Sequence, residues 1–119
     1  IIFYEKASQS KIKQLIKKEI KLIKLTTDKN NFFDLKSVLK KIYFLGCRNL
    51  LVEGGKSLTG SFLKNKLFNQ FYLFKSPNKL GRIAKLNMTG QLNQLSFIYK
   101  KKSKLNAFTG KDVVYLYTK

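Results

Sequence analysis

Asn49-Leu50-Leu51-Val52-Glu53-Gly54-Gly55-Lys56-Ser57-Leu58-Thr59-Gly60-Ser61-Phe62-Leu63 is a short apolar run, an acid, two glycines and then apolar residues at helical spacing. Asn49 to Val52 predicts a central buried strand. Leu58, Phe62 and Leu63, with Leu67 continuing the stripe, predict a helix over Ser57–Lys66. A strand that feeds a helix through glycines leaves unpaired backbone N–H groups at the helix start, where a phosphate can sit. It also sets Glu53 at the carboxyl end of a sheet strand, the place where open α/β sheets bind ligands. Gly60 inside the helix costs about 1 kcal/mol relative to alanine, which suggests that a sheet or ligand approaches closely there.

Outward from this stretch the pattern alternates. Ile1 to Tyr4 reads as a strand. Ser8 or Ser10 caps a short helix with Ile12, Leu15 and Ile16 on one face. Ile20 to Leu25 reads as a strand and Thr26 to Asn31 as a loop. Asp34 caps a helix bearing Leu35, Val38, Leu39 and Ile42, and Gly46 suits the position just past its end. Phe71 to Phe74 is the next strand, closed by Ser76-Pro77-Asn78. Lys79 to Leu92 reads mostly as loop, and Leu95 to Lys101 and Asp112 to Tyr117 as strands. This order predicts a three-layer α/β domain over residues 1–119, with a mainly parallel sheet and antiparallel strands at the C-terminal end.

The chain has 119 residues and a net charge of +19, with only six acids against twenty-five bases. All the bases but Arg48 and Arg82 are lysine, and they are scattered. Forked contacts to bases and phosphates favour arginine, so the charge reads as compositional bias and no specific nucleic-acid partner is expected. No apolar run approaches the length of a membrane span. Cys47 is the lone cysteine, which fits a cytoplasmic setting. With no histidine and one cysteine, the usual zinc sites and histidine-assisted nucleophiles are absent from these residues. The chain opens directly in a strand-like run and reads as a piece of a longer protein.

Leu51-Val52-Glu53-Gly54-Gly55, followed by Leu58, Gly60 and Phe62-Leu63, resembles the signature of the reductase domain of the bifunctional riboflavin biosynthesis deaminase/reductase. Leu67 to Leu73, Pro77, Leu80-Gly81 and Thr109 to Val114 resemble the rest of that domain in order. Asn69-Gln70 stands where the family usually has two acids. The family's reductase domain begins upstream of the segment that matches Ile1.

The resemblance implies a dihydrofolate-reductase-like fold and NADPH as cofactor. It implies reduction of the ribosyl group of 5-amino-6-(5-phosphoribosylamino)uracil to a ribityl chain. By the same resemblance Glu53 contacts substrate. Gly54, Gly55, Lys56, Ser57, Leu58 and Thr59 form the turn that holds NADPH phosphates, and Gly60 lets the cofactor approach. No catalytic proton donor is assigned. A truncated sheet would leave an edge for a second copy to pair with, which allows a homodimer. Two other classes fit parts of the sequence: a noncatalytic α/β interaction module and a basic nucleic-acid-binding domain.

Overall fold

A computed structural model describes residues 1–78, 81, 87–106 and 110–119. The chain divides into two compact units, Ile1–Leu51 and Val52–Lys119.

The first unit is a β-α-β crossover followed by a helix: β1 (Ile2–Tyr4), α1 (Gln9–Lys17), β2 (Leu22–Lys24) and α2 (Leu35–Phe44). β1 and β2 run parallel, with Ile2 opposite Leu22 and Tyr4 opposite Lys24. The predicted caps are in place. Ser8 Oγ accepts the Lys11 N–H at 3.3 Å. Asp34 accepts the N–H groups of Lys36 and Ser37 and the Ser37 hydroxyl, the last at 2.7 Å. Ile12, Leu15, Leu35, Val38, Leu39 and Ile42 are half-buried, whereas Ile16 is exposed.

No residue of this unit is fully buried, so polar fastenings carry much of its definition. Glu5, just past β1, accepts the Thr27 N–H at 3.0 Å and the Thr27 hydroxyl at 2.7 Å. That clamps the end of β1 to the segment after β2. Asp28 Oδ1 accepts from the N–H groups of Asn30 and Phe32 and shapes the following turn.

The second unit contains α3 (Lys56–Lys64), β3 (Gln70–Lys75), α4 (Thr89–Ile98), β4 (Lys101–Leu105) and β5 (Val113–Thr118). The strands form one antiparallel sheet in the order β3-β5-β4. Leu63 from α3, Leu95 from α4, Tyr99 and Tyr117 from β5 make the core, with Phe68, Phe71, Leu73, Ile98 and Tyr115 packed around them. Phe68 stacks on Phe62 with ring centres 4.9 Å apart and meets Phe71 edge-on. The Tyr99 hydroxyl donates to the Phe68 carbonyl at 2.7 Å. Burial holds this phenol above its ordinary pKa, and the bond to the carbonyl opposes part of that rise.

Four expectations are corrected. Asn49 to Val52 is not a strand: no ladder hydrogen bond forms there, and Leu51 is 79% exposed. An apolar run becomes a strand only when a neighbour accepts its backbone bonds, and none does so here. Leu95 to Lys101 is not a strand either. Leu95 to Ile98 completes α4, because Leu95 and the pair Ile98/Tyr99 recur at helical spacing against the core, and β4 starts only at Lys101. Of the predicted loop at Lys79–Leu92, Thr89 to Leu92 is helical, while residues 79, 80 and 82–86 lie outside the described residues, as do Leu80 and Thr109 of the resemblance. The mainly parallel sheet is therefore not what the described strands build: only β1 and β2 are parallel, and the three-stranded sheet is wholly antiparallel.

Helices α1, α2 and α3 end in the same way. The N–H two residues past the C-cap reaches back to the carbonyl at C3: Ile20 to Leu15, Cys47 to Ile42 and Leu67 to Phe62. The intervening residue is left-handed in each, Glu19 at φ 56°, Gly46 at φ 92° and Lys66 at φ 54°. Only Gly46 suits that conformation. A left-handed non-glycine residue costs about 1–2 kcal/mol, and glycine gives back up to about 1 kcal/mol through the freer unfolded chain. Glu19→Gly and Lys66→Gly should each therefore stabilise the protein by about 0.5–1 kcal/mol. Urea denaturation checks this, and a lowered midpoint for either variant contradicts it.

The Glu5 clamp has a pH signature. The Thr27 N–H and then the Thr27 hydroxyl, both donating to the carboxylate, hold the Glu5 pKa below its ordinary value. A carboxylate whose folded pKa is depressed contributes stability that is complete above the unfolded pKa and is lost as pH falls through the folded one. Thr27→Val removes the hydroxyl donor, so acid unfolding should depend less on pH across the acidic carboxylate range. An unchanged stability–pH profile in that variant would rule out the clamp as a source of acid sensitivity.

Candidate functional site

The residues around the paired glycines lie at the start of the second unit. Glu53 is exposed. The Gly54 carbonyl accepts the Thr59 hydroxyl at 3.2 Å. A Cβ on Gly54 would lie 2.8 Å from Leu58 Cδ2 and 3.0 Å from Leu58 Cβ. A side chain at residue 54 would therefore push Leu58 aside, because the first turn of α3 folds back on the glycine, with no unusual dihedral involved.

Gly55 is the N-cap of α3, at φ −71° and ψ −175°. Its carbonyl accepts the Thr59 N–H at 3.1 Å, but it has no side chain to bond the helix start, and no acid stands in the first turn. The amides of Lys56, Ser57 and Leu58 are therefore uncapped, and they point out of the positive end of the helix. Lys56, the first helical residue, adds a full positive charge there. A cation at a helix N-terminus is unfavourable by about 0.3–1 kcal/mol. Its presence beside three free amides makes this end strongly attractive to an anion.

An open groove of about 710 Å³ runs along this end of α3, lined by Gly55, Lys56, Ser57, Leu58, Gly60, Ser61, Lys64 and Gln91. Five of the residues singled out by sequence thus share one surface. Glu53, Gly54 and Thr59 do not line it. Thr59 is buried, its hydroxyl tied to Gly54, and Glu53 stands on the approach to the helix. Three lining residues escaped the sequence reading. Ser61 and Lys64 follow from Ser57 at helical spacing and could have been found that way, and the Ser61 hydroxyl bonds the Ser57 carbonyl at 3.0 Å. Gln91 comes from α4, whose start is marked by Asn87, its Oδ1 accepting the Thr89 N–H at 2.8 Å, a local signal the sequence reading passed over.

Gly60 faces Gln91. A Cβ at Gly60 would meet Gln91 Nε2 at 3.5 Å and Cγ at 3.8 Å, ordinary contact distances. At Gly55 a Cβ would meet nothing within 4 Å. The three glycines of this segment therefore differ: a Cβ crowds Leu58 at Gly54, meets open space at Gly55, and makes ordinary contact with Gln91 at Gly60.

The chain matches the RibD C-terminal domain family over residues 1–114. It is similar to the riboflavin biosynthesis protein RibD of Buchnera aphidicola subsp. Baizongia pistaciae (strain Bp), with 31% identity over 96 residues, covering 80% of this chain and 26% of that protein. It is also similar to the riboflavin biosynthesis protein RibD of Aquifex aeolicus (strain VF5), with 41% identity over 49 residues, covering 41% of this chain and 14% of that protein. The chain thus spans about a quarter or less of the length of these relatives.

The glycine geometry separates two substitutions. Gly54→Ala forces Leu58 to move and should destabilise by about 1–3 kcal/mol, the usual cost of overpacking. Gly60→Ala fits and should stabilise by up to about 1 kcal/mol through helix propensity. Thermal melts of the two variants should shift in opposite directions, and a destabilised Gly60→Ala would show that α3 and α4 pack more tightly than this geometry allows.

Proposed function

Because the chain belongs to the RibD C-terminal domain family, we propose that it forms one three-layer, dihydrofolate-reductase-like domain that acts as a reductase in riboflavin biosynthesis. In this reading it binds NADPH and reduces the ribosyl group of 5-amino-6-(5-phosphoribosylamino)uracil to the ribityl chain. The observation that carries the reading is the start of α3, with three uncapped amides, the Lys56 ammonium beside them and a groove open to the same end. These residues suit a dinucleotide phosphate in charge and in donor number.

When bound, NADPH supplies the hydride, and the chain's own residues bind and orient. The amides of Lys56, Ser57 and Leu58 hold phosphate oxygens, and Lys56 neutralises their charge. Gly55 leaves the space that a phosphate needs. Glu53, exposed two residues before the N-cap, is suited to accept hydrogen bonds from substrate hydroxyl or amino groups. Thr59 acts through the backbone, fixing the Gly54 turn from within. The lone Cys47 fits a cytoplasmic setting. Among the described strands β3 pairs only with β5, and a second copy is our candidate for its other edge. Lysine predominance argues against a specific nucleic-acid partner.

Gly55→Asp tests the cofactor assignment. The Gly55 backbone is extended with negative φ, so aspartate fits, and as an N-cap it would bond the Ser57 and Leu58 amides itself. Fold stability should rise by a few tenths of a kcal/mol, while NADPH affinity in the intact protein should fall at least tenfold. Fluorescence titration of NADPH reads the affinity. Equal affinities for wild type and variant would remove α3 as the phosphate site.

A further inference from the structure

Gln91 is anomalous. It lines the groove from the α4 side, its amide nitrogen and Cγ rest over Gly60, and its Oε1 is buried with no hydrogen-bond partner among the described residues. A buried acceptor left unpaired costs about 1–3 kcal/mol, and native proteins rarely keep one without a use. An apolar residue would fill the same place between α3 and α4 without that cost. The glycine opposite leaves space for the carboxamide itself, since the surface of α3 at Gly60 carries no side chain.

We propose that Gln91 is a ligand-positioning residue of the α3 groove, its carboxamide hydrogen-bonding a ribose hydroxyl of the dinucleotide whose phosphate sits on the α3 amides. This rests on the reading of the groove as the cofactor site. The choice of a hydroxyl follows from chemistry and from place. The groove extends from the phosphate-binding amides toward Gly60, Ser61 and Lys64, so the group reached after the phosphate is the sugar attached to it. A carboxamide can donate through Nε2 or accept through Oε1, and a hydroxyl can do the converse of either. The terminal torsion of glutamine is broad, so the carboxamide can turn either its nitrogen or its oxygen to a ligand in the groove.

The test is Gln91→Leu in the intact protein, read by three measurements: thermal stability, NADPH affinity by fluorescence titration, and displacement of NADPH by inorganic pyrophosphate. Leucine keeps most of the packing volume and removes the unpaired oxygen, so the melting temperature should hold or rise. NADPH affinity should fall about five- to tenfold. Pyrophosphate has no sugar, so its own affinity should be unchanged, whereas Gly55→Asp should weaken it. If Gln91→Leu binds NADPH as tightly as wild type while Gly55→Asp does not, the Gln91 contact is overturned and the phosphate site stands. If wild type and Gly55→Asp bind NADPH alike, the site reading falls and the Gln91 contact with it. A lowered melting temperature together with weakened pyrophosphate binding in Gln91→Leu would make the residue structural and would overturn the proposal.

Discussion

The second unit depends on one buried hydrogen bond inside an aromatic core. Tyr99 sits at the end of α4 with only 1% of its surface exposed, and its hydroxyl reaches the carbonyl of Phe68 in the connection between α3 and β3. That bond joins the exit of one helix to the exit of the other. Leu63, Leu95 and Tyr117 close around it, so α3 and α4 are fixed against each other and against β5. The position of Gln91 over Gly60 follows from this arrangement. The groove at the start of α3 thus rests on packing fixed beyond the helix's other end.

The first unit is held by a different economy. Lacking a fully buried residue, it uses carboxylates as acceptors for backbone N–H groups. Glu5, Asp28 and Asp34 each take up donors that a loop or helix start would otherwise leave free. These are charge-assisted bonds, and in a chain with six acids among twenty-five bases half of the acids serve in this way. For Glu5 and Asp34 the nearby lysines contribute less to the lowered pKa than the hydrogen bonds do. Backbone geometry, not ion pairing, is what these acids satisfy.

The lysines also have structural work. Lys102 on β4 lies over the Tyr115 ring at 4.1 Å and near Tyr117 at 5.5 Å, and Lys100 lies over Phe97 at 4.9 Å. Their ammonium groups lie over aromatic faces in cation–π contacts. β4 is an edge strand of the sheet and carries Lys101, Lys102 and Lys104. Charge on an edge strand discourages pairing with other chains. Much of what reads in composition as undirected positive charge is, at this edge, protection of aromatic faces and of unpaired backbone.

The sequence by itself determined the elements whose signals are local. Ser8 and Asp34 at helix starts, Gly46 past a helix end, and the stripe Leu58, Phe62 and Leu63 all act within one or two turns of backbone, and each stands where its residue type places it. The uncapped amides at Gly55 were legible for the same reason. The tertiary structure alone decided Asn49 to Val52 and Leu95 to Ile98. Both are short apolar runs compatible with strand or helix, and the outcome depends on whether a hydrogen-bonding neighbour or a packing face is available. Leu95 found the α3 core and became helical, while Leu51 found no strand partner and stayed exposed. Gln91 reached the groove by the same route: its place beside Gly60 is fixed by helix packing between residues far apart in the chain, and no spacing along the chain encodes it.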